Sequence, residues 1–173
     1  MITQTPWFER KFEFNFPVGL FPVIVERLRG TALQLKAMLE NIPDEKLSRK
    51  KDGKWSVKEI AGHLFDLEEL WSGRIDDFLM HKETLRVADL SNTKTHEANH
   101  NSKPLAELLH QFSSSRNELI KKIENLDETT ASLTALHPRL KQPMRLIDSL
   151  FFYAEHDDHE LTKIRFLLMD KTL

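Results

Sequence analysis

Apolar residues recur every three or four positions in four long stretches of this chain, a spacing that predicts helices with one buried face. In the first stretch Phe21, Ile24, Leu28, Ala32, Leu35, Leu39 and Ile42 form the stripe and predict a helix over about 20–41. Pro22 suits its first turn, where a missing N–H costs little, and Pro43-Asp44 ends it. The second stripe, Val57, Ile60, Leu64, Leu67, Trp71, Ile75 and Phe78, predicts a helix over about 57–80. Ser56 and Glu59 stand at its start as a capping box, in which the hydroxyl accepts from an early helix N–H and the glutamate reaches back. The third stripe is Leu105, Leu108, Phe112, Leu119, Ile123 and Leu126, over about 103–126, interrupted by small residues at Ser113 to Ser115. The fourth, Ile147, Leu150, Phe151, Ala154, Leu161, Ile164 and Leu168, predicts a helix over about 143–169. Four long amphipathic helices make a bundle, so the expected class is all-α.

The segments between the stripes add detail. Residues 1–19 hold Trp7, Phe8, Phe12, Phe14 and Phe16. Aromatic side chains bury about 150–250 Å² each, so this stretch is expected to be an arm packed on the bundle. Residues 43–55 form a charged connection with a turn at Asp52-Gly53. Residues 81–102 form a polar loop long enough to be functional, and long enough to permit a crossover between the second and third helices. Its histidines, His81, His96 and His100, are expected to be solvated. Residues 127–142 make the last connection, with His137 a surface or packing residue. No repeat or second domain interrupts 1–173, which reads as one domain.

Composition narrows the function. The chain has 25 Lys+Arg against 27 Asp+Glu, a formal net charge of −2, which gives no electrostatic case for nucleic acid or an anionic membrane. It has no cysteine, hence no disulfide, thiolate ligand or cysteine nucleophile, which suits the cytoplasm. The N-terminus lacks the basic start and apolar run of a signal peptide, and no apolar run approaches the roughly 20 residues that span a bilayer. A small molecule is the expected partner.

The candidate chemistry sits on two helices. His156, His159 and the carboxylates of Glu155, Asp157, Asp158 and Glu160 crowd the middle of the fourth. A turn of 100° per residue lets His156 share a face with His159 or with Glu160. His63 lies near the core edge of the second helix. If the two helices are neighbours, one ligand from one and two from the other converge, leaving open positions on a divalent metal. Alternatively, these are core histidines bonded to carboxylates. Arg74 lies only about 20° around the helix from His63, three turns on. A cation near a core needs a partner, either an acid of the bundle or an anionic group of a substrate. Arg116, within the third stripe, has the same two readings, whereas Arg27 and Arg29 are expected to be solvated.

Three segments together resemble one known family: Trp55-Ser-Val-Lys-Glu-Ile-Ala-Gly-His63-Leu, Glu68 to Arg74, and Ala154-Glu-His-Asp-Asp-His159 followed by Leu161-Thr-Lys-Ile-Arg165. The chain resembles the DinB-like superfamily over essentially its whole length. The resemblance implies a four-helix bundle with a crossover between helices two and three, often a homodimer. It also implies a divalent metal held by one histidine of helix two and two of helix four spaced four apart, which here are His63, His156 and position 160. Position 160 is Glu where the family usually has His, so the expected third ligand is Glu160, with His159 as the alternative and a weakened or lost site as another. Two histidines and a carboxylate would suit zinc, nickel, iron, manganese or cobalt. Relatives include thiol-dependent S-transferases and isomerases that use bacillithiol, mycothiol or glutathione. The resemblance therefore implies a metal-dependent enzyme, with S-transfer from a low-molecular-weight thiol first. Metal-dependent hydrolysis, or a non-catalytic stress-related binding protein, is the alternative. Arg74 or Arg116 would hold an anionic group of thiol or electrophile.

Overall fold

The structure, a computed structural model, describes residues 2–170. Each stripe folds as a helix: α1 (Phe21–Leu39), α3 (Val57–Leu79), α5 (Leu105–Ile123) and α7 (Leu146–Met169). Short helices α2 (Asp44–Ser48), α4 (Thr93–Glu97) and α6 (Glu128–Ala131) lie in the connections. The Ser56/Glu59 capping box forms as expected, with Glu59 N–H donating to Ser56 Oγ at 3.1 Å and Ser56 N–H to Glu59 Oε2 at 2.8 Å. Residues 143–145 depart from expectation. They do not open the last helix but form β2 (Pro143–Arg145), paired antiparallel with β1 (Thr134–Leu136), Ala135 opposite Met144. The Asp148 carboxylate explains the boundary. It accepts from the Arg145 backbone N–H at 2.8 Å and from its guanidinium, which holds Arg145 extended and starts α7 one residue later.

Around the bundle α1 touches α5 and α7, and α3 touches the same two. Side-chain pairs give the directions. Arg27 meets Glu155 and Asp158, while Lys46, beyond the end of α1, reaches the Leu168 carbonyl, so α1 and α7 run parallel. Arg116 meets Glu68 and Lys122 meets Ser72 and Asp76, so α3 and α5 are also parallel. Trp71 stacks on Tyr153 at 4.2 Å and His63 lies 5.4 Å from His156, so α3 and α7 are antiparallel. Because α3 and α5 point the same way, the chain between them must travel back along α3, and its contacts trace that return. Arg86 binds Asp77, Lys94 binds Glu69, Thr95 and His100 bind Asp66, and Asn101 accepts from Ser56 and Lys58 near the start of α3. The predicted crossover is this segment. Two glycines of α3 admit it closely: a Cβ on Gly73 would collide with the Arg86 guanidinium, and one on Gly62 with the His100 ring.

The core has two apolar parts. Leu28, Trp71, Ile75, Phe78, Leu119, Leu150 and Tyr153 fill one end of the bundle, and Leu35, Ile60, Leu64, Leu108, Phe112, Leu161 and Ile164 the other. Burial of each such side chain contributes about 1.5–3 kcal/mol. Between the two lies a charged layer centred on Arg116. The N-terminal arm packs on α7 as expected: Trp7 lies 5.0 Å from Phe152, Phe12 5.0 Å from Phe152 and Phe16 5.1 Å from Phe151. Arg10 covers the Trp7 and Phe12 rings and pairs with Glu155. No helix among the described residues is long and apolar enough to cross a membrane.

Candidate metal centre

Antiparallel packing of α3 on α7 brings His63 against His156, and one helical turn further on stands Glu160. All three are buried, and each offers a ligand atom within 4.8 Å of the others'. The hydrogen bonds of His63 settle which nitrogen is free. Its Nδ1 lies 3.2 Å from Thr95 Oγ1, and that hydroxyl donates to Asp66 Oδ2 at 2.8 Å. A hydroxyl has one proton, and the carboxylate takes it, so Thr95 accepts from His63 Nδ1–H. The lone pair then resides on Nε2, as a metal-facing imidazole requires. His100 Nε2 bonds the same Asp66 oxygen at 2.8 Å. Burial works against the Asp66 carboxylate, yet the bonds from His100 and Thr95 hold it below the usual range.

His156 differs. Its Nδ1 is buried without a hydrogen bond, and its Nε2 stands 3.9 Å from Glu160 Oε1. Aromatic edges enclose it, Trp7 at 4.8 Å and Trp71 at 5.9 Å. Burial pushes His63 down to about 4, with Lys163 adding to the effect, and pushes His156 well below its ordinary value. Both imidazoles are therefore neutral at pH 7 with lone pairs available. Burial raises Glu160, against the pull of Lys163, whose Nζ donates to Oε2 at 2.8 Å. Two neutral imidazoles and a carboxylate oxygen, with an orphaned buried nitrogen among them, fit a borderline divalent cation.

A cavity of about 1140 Å³ opens over the cluster. All three tryptophans of the chain, Trp7, Trp55 and Trp71, line it. His159 lines it too, but stands beside the three-residue group rather than in it, its ring 5.5 Å from Trp7 and its Nδ1 unbonded. The two arginines part company. Arg74 lines the cavity, but Arg116 does not. The Arg116 guanidinium bonds Glu68 at 2.6 Å, Asp157 at 2.5 Å and the Leu28 carbonyl at 2.9 Å, and Thr31 donates to the same Asp157 oxygen at 2.9 Å. Here the partner is acid of the bundle. Asp157 and Glu68 sustain a raised Arg116 against its complete burial.

Some expectations about other side chains change. His81 is exposed as expected, but His100 is buried and bound to Asp66, because the crossover folds onto α3. His137 takes the packing one of its two readings, buried against Arg74, whereas Arg27 pairs with Glu155 and Asp158 instead of standing in solvent. Helical periodicity and composition do not single out Asp66 or Thr95. Asp66 lies three residues after His63, on its face of the helix, a signal that was available. Thr95 reaches His63 only through the path of the crossover and left none.

No curated protein sequence matches the chain. YfiT from Bacillus subtilis, described as a probable metal-dependent hydrolase with an unusual four-helix bundle topology, is similar in structure. It aligns with a TM-score of 0.80 and 19% identity over 92% of this chain and 91% of its own. A mycothiol-dependent maleylpyruvate isomerase aligns with a TM-score of 0.67 and 11% identity over 87% of this chain and 61% of its own. At such identities the likeness concerns the fold, the bundle described above. The sequence pattern of the DinB superfamily matches residues 27–163, from α1 through the cluster on α7, and the chain belongs to that superfamily.

Proposed function

We propose that this protein is a divalent-metal-dependent enzyme acting on a small amphipathic molecule, with His63, His156 and Glu160 as the metal ligands. The observation that carries the reading is the donor set itself: two neutral buried imidazoles, one without any hydrogen bond at Nδ1, beside a carboxylate under a large cavity. What a cation supplies there is Lewis acidity, which makes thiolate or hydroxide available near neutral pH.

Thiol transfer is the first reaction class. The cavity of about 1140 Å³ exceeds the roughly 300–1,000 Å³ of an ordinary single-ligand site, so it has room for a thiol and an acceptor together. The chain has no cysteine, so the sulfur comes from a low-molecular-weight cosubstrate. That sulfur bonds to an electrophilic carbon of the acceptor, the leaving group departs with its electron pair, and the thiol proton passes to solvent or to an imidazole of the cavity. A homodimer working in the cytoplasm belongs to the same reading, and sedimentation equilibrium tests its first half.

Hydrolysis is the second class. His159 favours it: it lines the cavity beside the cluster, and its unbonded Nδ1 is placed to take a proton from water. The description of YfiT points the same way.

Elemental mass spectrometry on untagged protein tests the common core. Near-stoichiometric metal in the wild type and none in His156→Ala is the expected result. No uptake by the wild type after dialysis against zinc, nickel and manganese would leave a bundle with a decayed site. Thiol consumption with a chlorodinitrobenzene, against turnover of simple esters without thiol, separates the two reactions.

A further inference from the structure

At the end of the cavity away from Lys163, three side chains converge with no acid among them. Arg74 is buried, and its Nε donates to the Arg86 carbonyl at 3.1 Å. The Arg139 guanidinium lies between the Phe8 ring at 5.3 Å and the Phe152 ring at 5.6 Å, and its Nη2 is buried without a hydrogen bond. His137 stands 5.3 Å from Phe152 and meets Arg74 Nη1 at 3.1 Å. All three side chains line the cavity. The nearby acids are engaged elsewhere: Asp77 by Arg86 and Lys82, and Asp89 by Ser91 and Thr93. Among the described residues neither arginine has a carboxylate partner, in contrast to Arg116.

The histidine holds a further conflict. Its Nδ1 accepts from the backbone N–H of Leu140 at 3.1 Å and of Arg139 at 3.3 Å. A neutral imidazole has one N–H, which must then be on Nε2. That N–H faces the N–H of Arg74 Nη1, donor against donor. Burial, with the charges of Arg74 and Arg139, pushes His137 down to about 3, so the ring is neutral with its one N–H toward Arg74. Burial also moves both guanidinium groups down from their ordinary value, the direction expected of buried cations that lack a counter-ion, and both keep their charge.

An oxyanion seated between these groups would accept from Arg74, Arg139 and His137 Nε2–H at once, which resolves the facing donors and supplies the missing counter-charge. We propose that Arg74, Arg139 and His137 form an oxyanion subsite for a carboxylate or phosphate group on the substrate, whose apolar body lies along Trp7, Trp71 and Phe152 toward the metal centre. The rings set the spacing: Arg74 lies over Trp71 at 5.7 Å, and Trp71 lies 5.9 Å from His156. One aromatic side chain therefore separates the oxyanion end from the reacting end. The inference rests on the proposed use of this cavity as the substrate site and names the class of molecule: a small acid with an apolar or aromatic body.

The test is tryptophan fluorescence, since every tryptophan borders the cavity. Metal-free protein, held in chelator, is titrated with phenylacetate, with phenyl phosphate and with neutral phenylacetamide. At least one oxyanion binds saturably, about tenfold or more tighter than the amide, and loses about tenfold or more in Arg139→Gln. The tighter of the two names the group. Arg139 is only half-buried, so this variant keeps the wild-type unfolding midpoint; Arg74→Gln gives a second reading of the same loss. Equal binding of acid and amide, or unchanged affinity in Arg139→Gln, overturns the subsite. Binding that appears only after metal is added also overturns it, because the acid would then be a metal ligand. The two proposals fail separately. A protein that takes up no metal still binds the oxyanion, and a failed subsite leaves metal stoichiometry and its loss in His156→Ala intact.

Discussion

The same two helices, α3 and α7, carry two buried polar clusters that were finished in opposite ways. On one side Glu68 and Asp157 close around Arg116, every nitrogen of which is bonded, and only Asp157 Oδ1 is left over. On the other side His63, His156 and Glu160 approach one another without a central cation of their own, and a nitrogen of His156 has nothing to bind. His156 and Asp157 are adjacent in sequence, so 100° of helix separates a structural carboxylate from a candidate ligand. A buried charge that serves the fold brings its partner within the chain. A buried donor that serves a ligand is left unpaired, which costs stability until that ligand arrives.

Four measurements would break or sharpen this contrast. The largest effect is expected from Arg116→Ala, which strands two carboxylates. Loss of one partner from a buried ion pair costs about 3–5 kcal/mol, a large share of a normal stability of about 5–15 kcal/mol, and urea unfolding measures it. The triple change Arg116→Met, Glu68→Gln, Asp157→Asn should recover most of it. A loss below about 1 kcal/mol in the single variant would mean that the layer is not structural. Next comes Asp66→Asn, which disturbs the bond that orients Thr95 and so His63. Metal affinity by competition with a chelating dye should fall about 10–100-fold, as for other outer partners of metal ligands, with little change in metal-free stability.

The third effect concerns pH. His137 is lowered to about 3 in the folded chain and would stand near its ordinary value of 6.5 when unfolded. Its contribution is therefore complete above about pH 6.5 and is lost as pH falls toward 3, where only the unfolded chain takes up the proton. In metal-free protein, His137→Gln should flatten the slope of stability between pH 6 and 4 by about one proton. An unchanged slope would mean that the folded protein accommodates the charge. The smallest effect is the one that most separates the two clusters. His156→Leu should leave metal-free stability within about 1 kcal/mol of wild type, or above it, since an apolar group replaces an unpaired imidazole. The rise in unfolding temperature on adding metal to the wild type should vanish in this variant. A loss as large as that of Arg116→Ala would show that both clusters are structural.

The long helices were legible because each buries one stripe, and some carry their own boundary signals, such as Pro43 after α1 and the Ser56/Glu59 box at the start of α3. Their directions were legible only in part: the length of 81–102 permitted a crossover, and the contacts of Arg86, Lys94, Thr95 and His100 establish it. Pro143–Arg145 escaped because a three-residue strand has no periodicity to read and its partner lies in the preceding connection. His63, His156 and Glu160 could be gathered from helical spacing. Thr95, His137 and Arg139 come from connections, whose positions in space depend on packing rather than period, and spacing says nothing of them.

The glycine notches of α3 give the crossover an unusual freedom. Gly62 and Gly73 are eleven residues apart, so they line up along the helix about 16 Å from each other. Fully extended, the chain from Arg86 to His100 could reach about 46 Å. Both ends of this segment are keyed into the helix, and the surplus between them is what walls the cavity at Val87 to Leu90 and at Asn92. Insertions or deletions within that wall would change the shape of the pocket while the register of the bundle stays locked at both keys. The shape of the cavity can drift by loop length alone, with the helices and the His63 side of the cluster held in place.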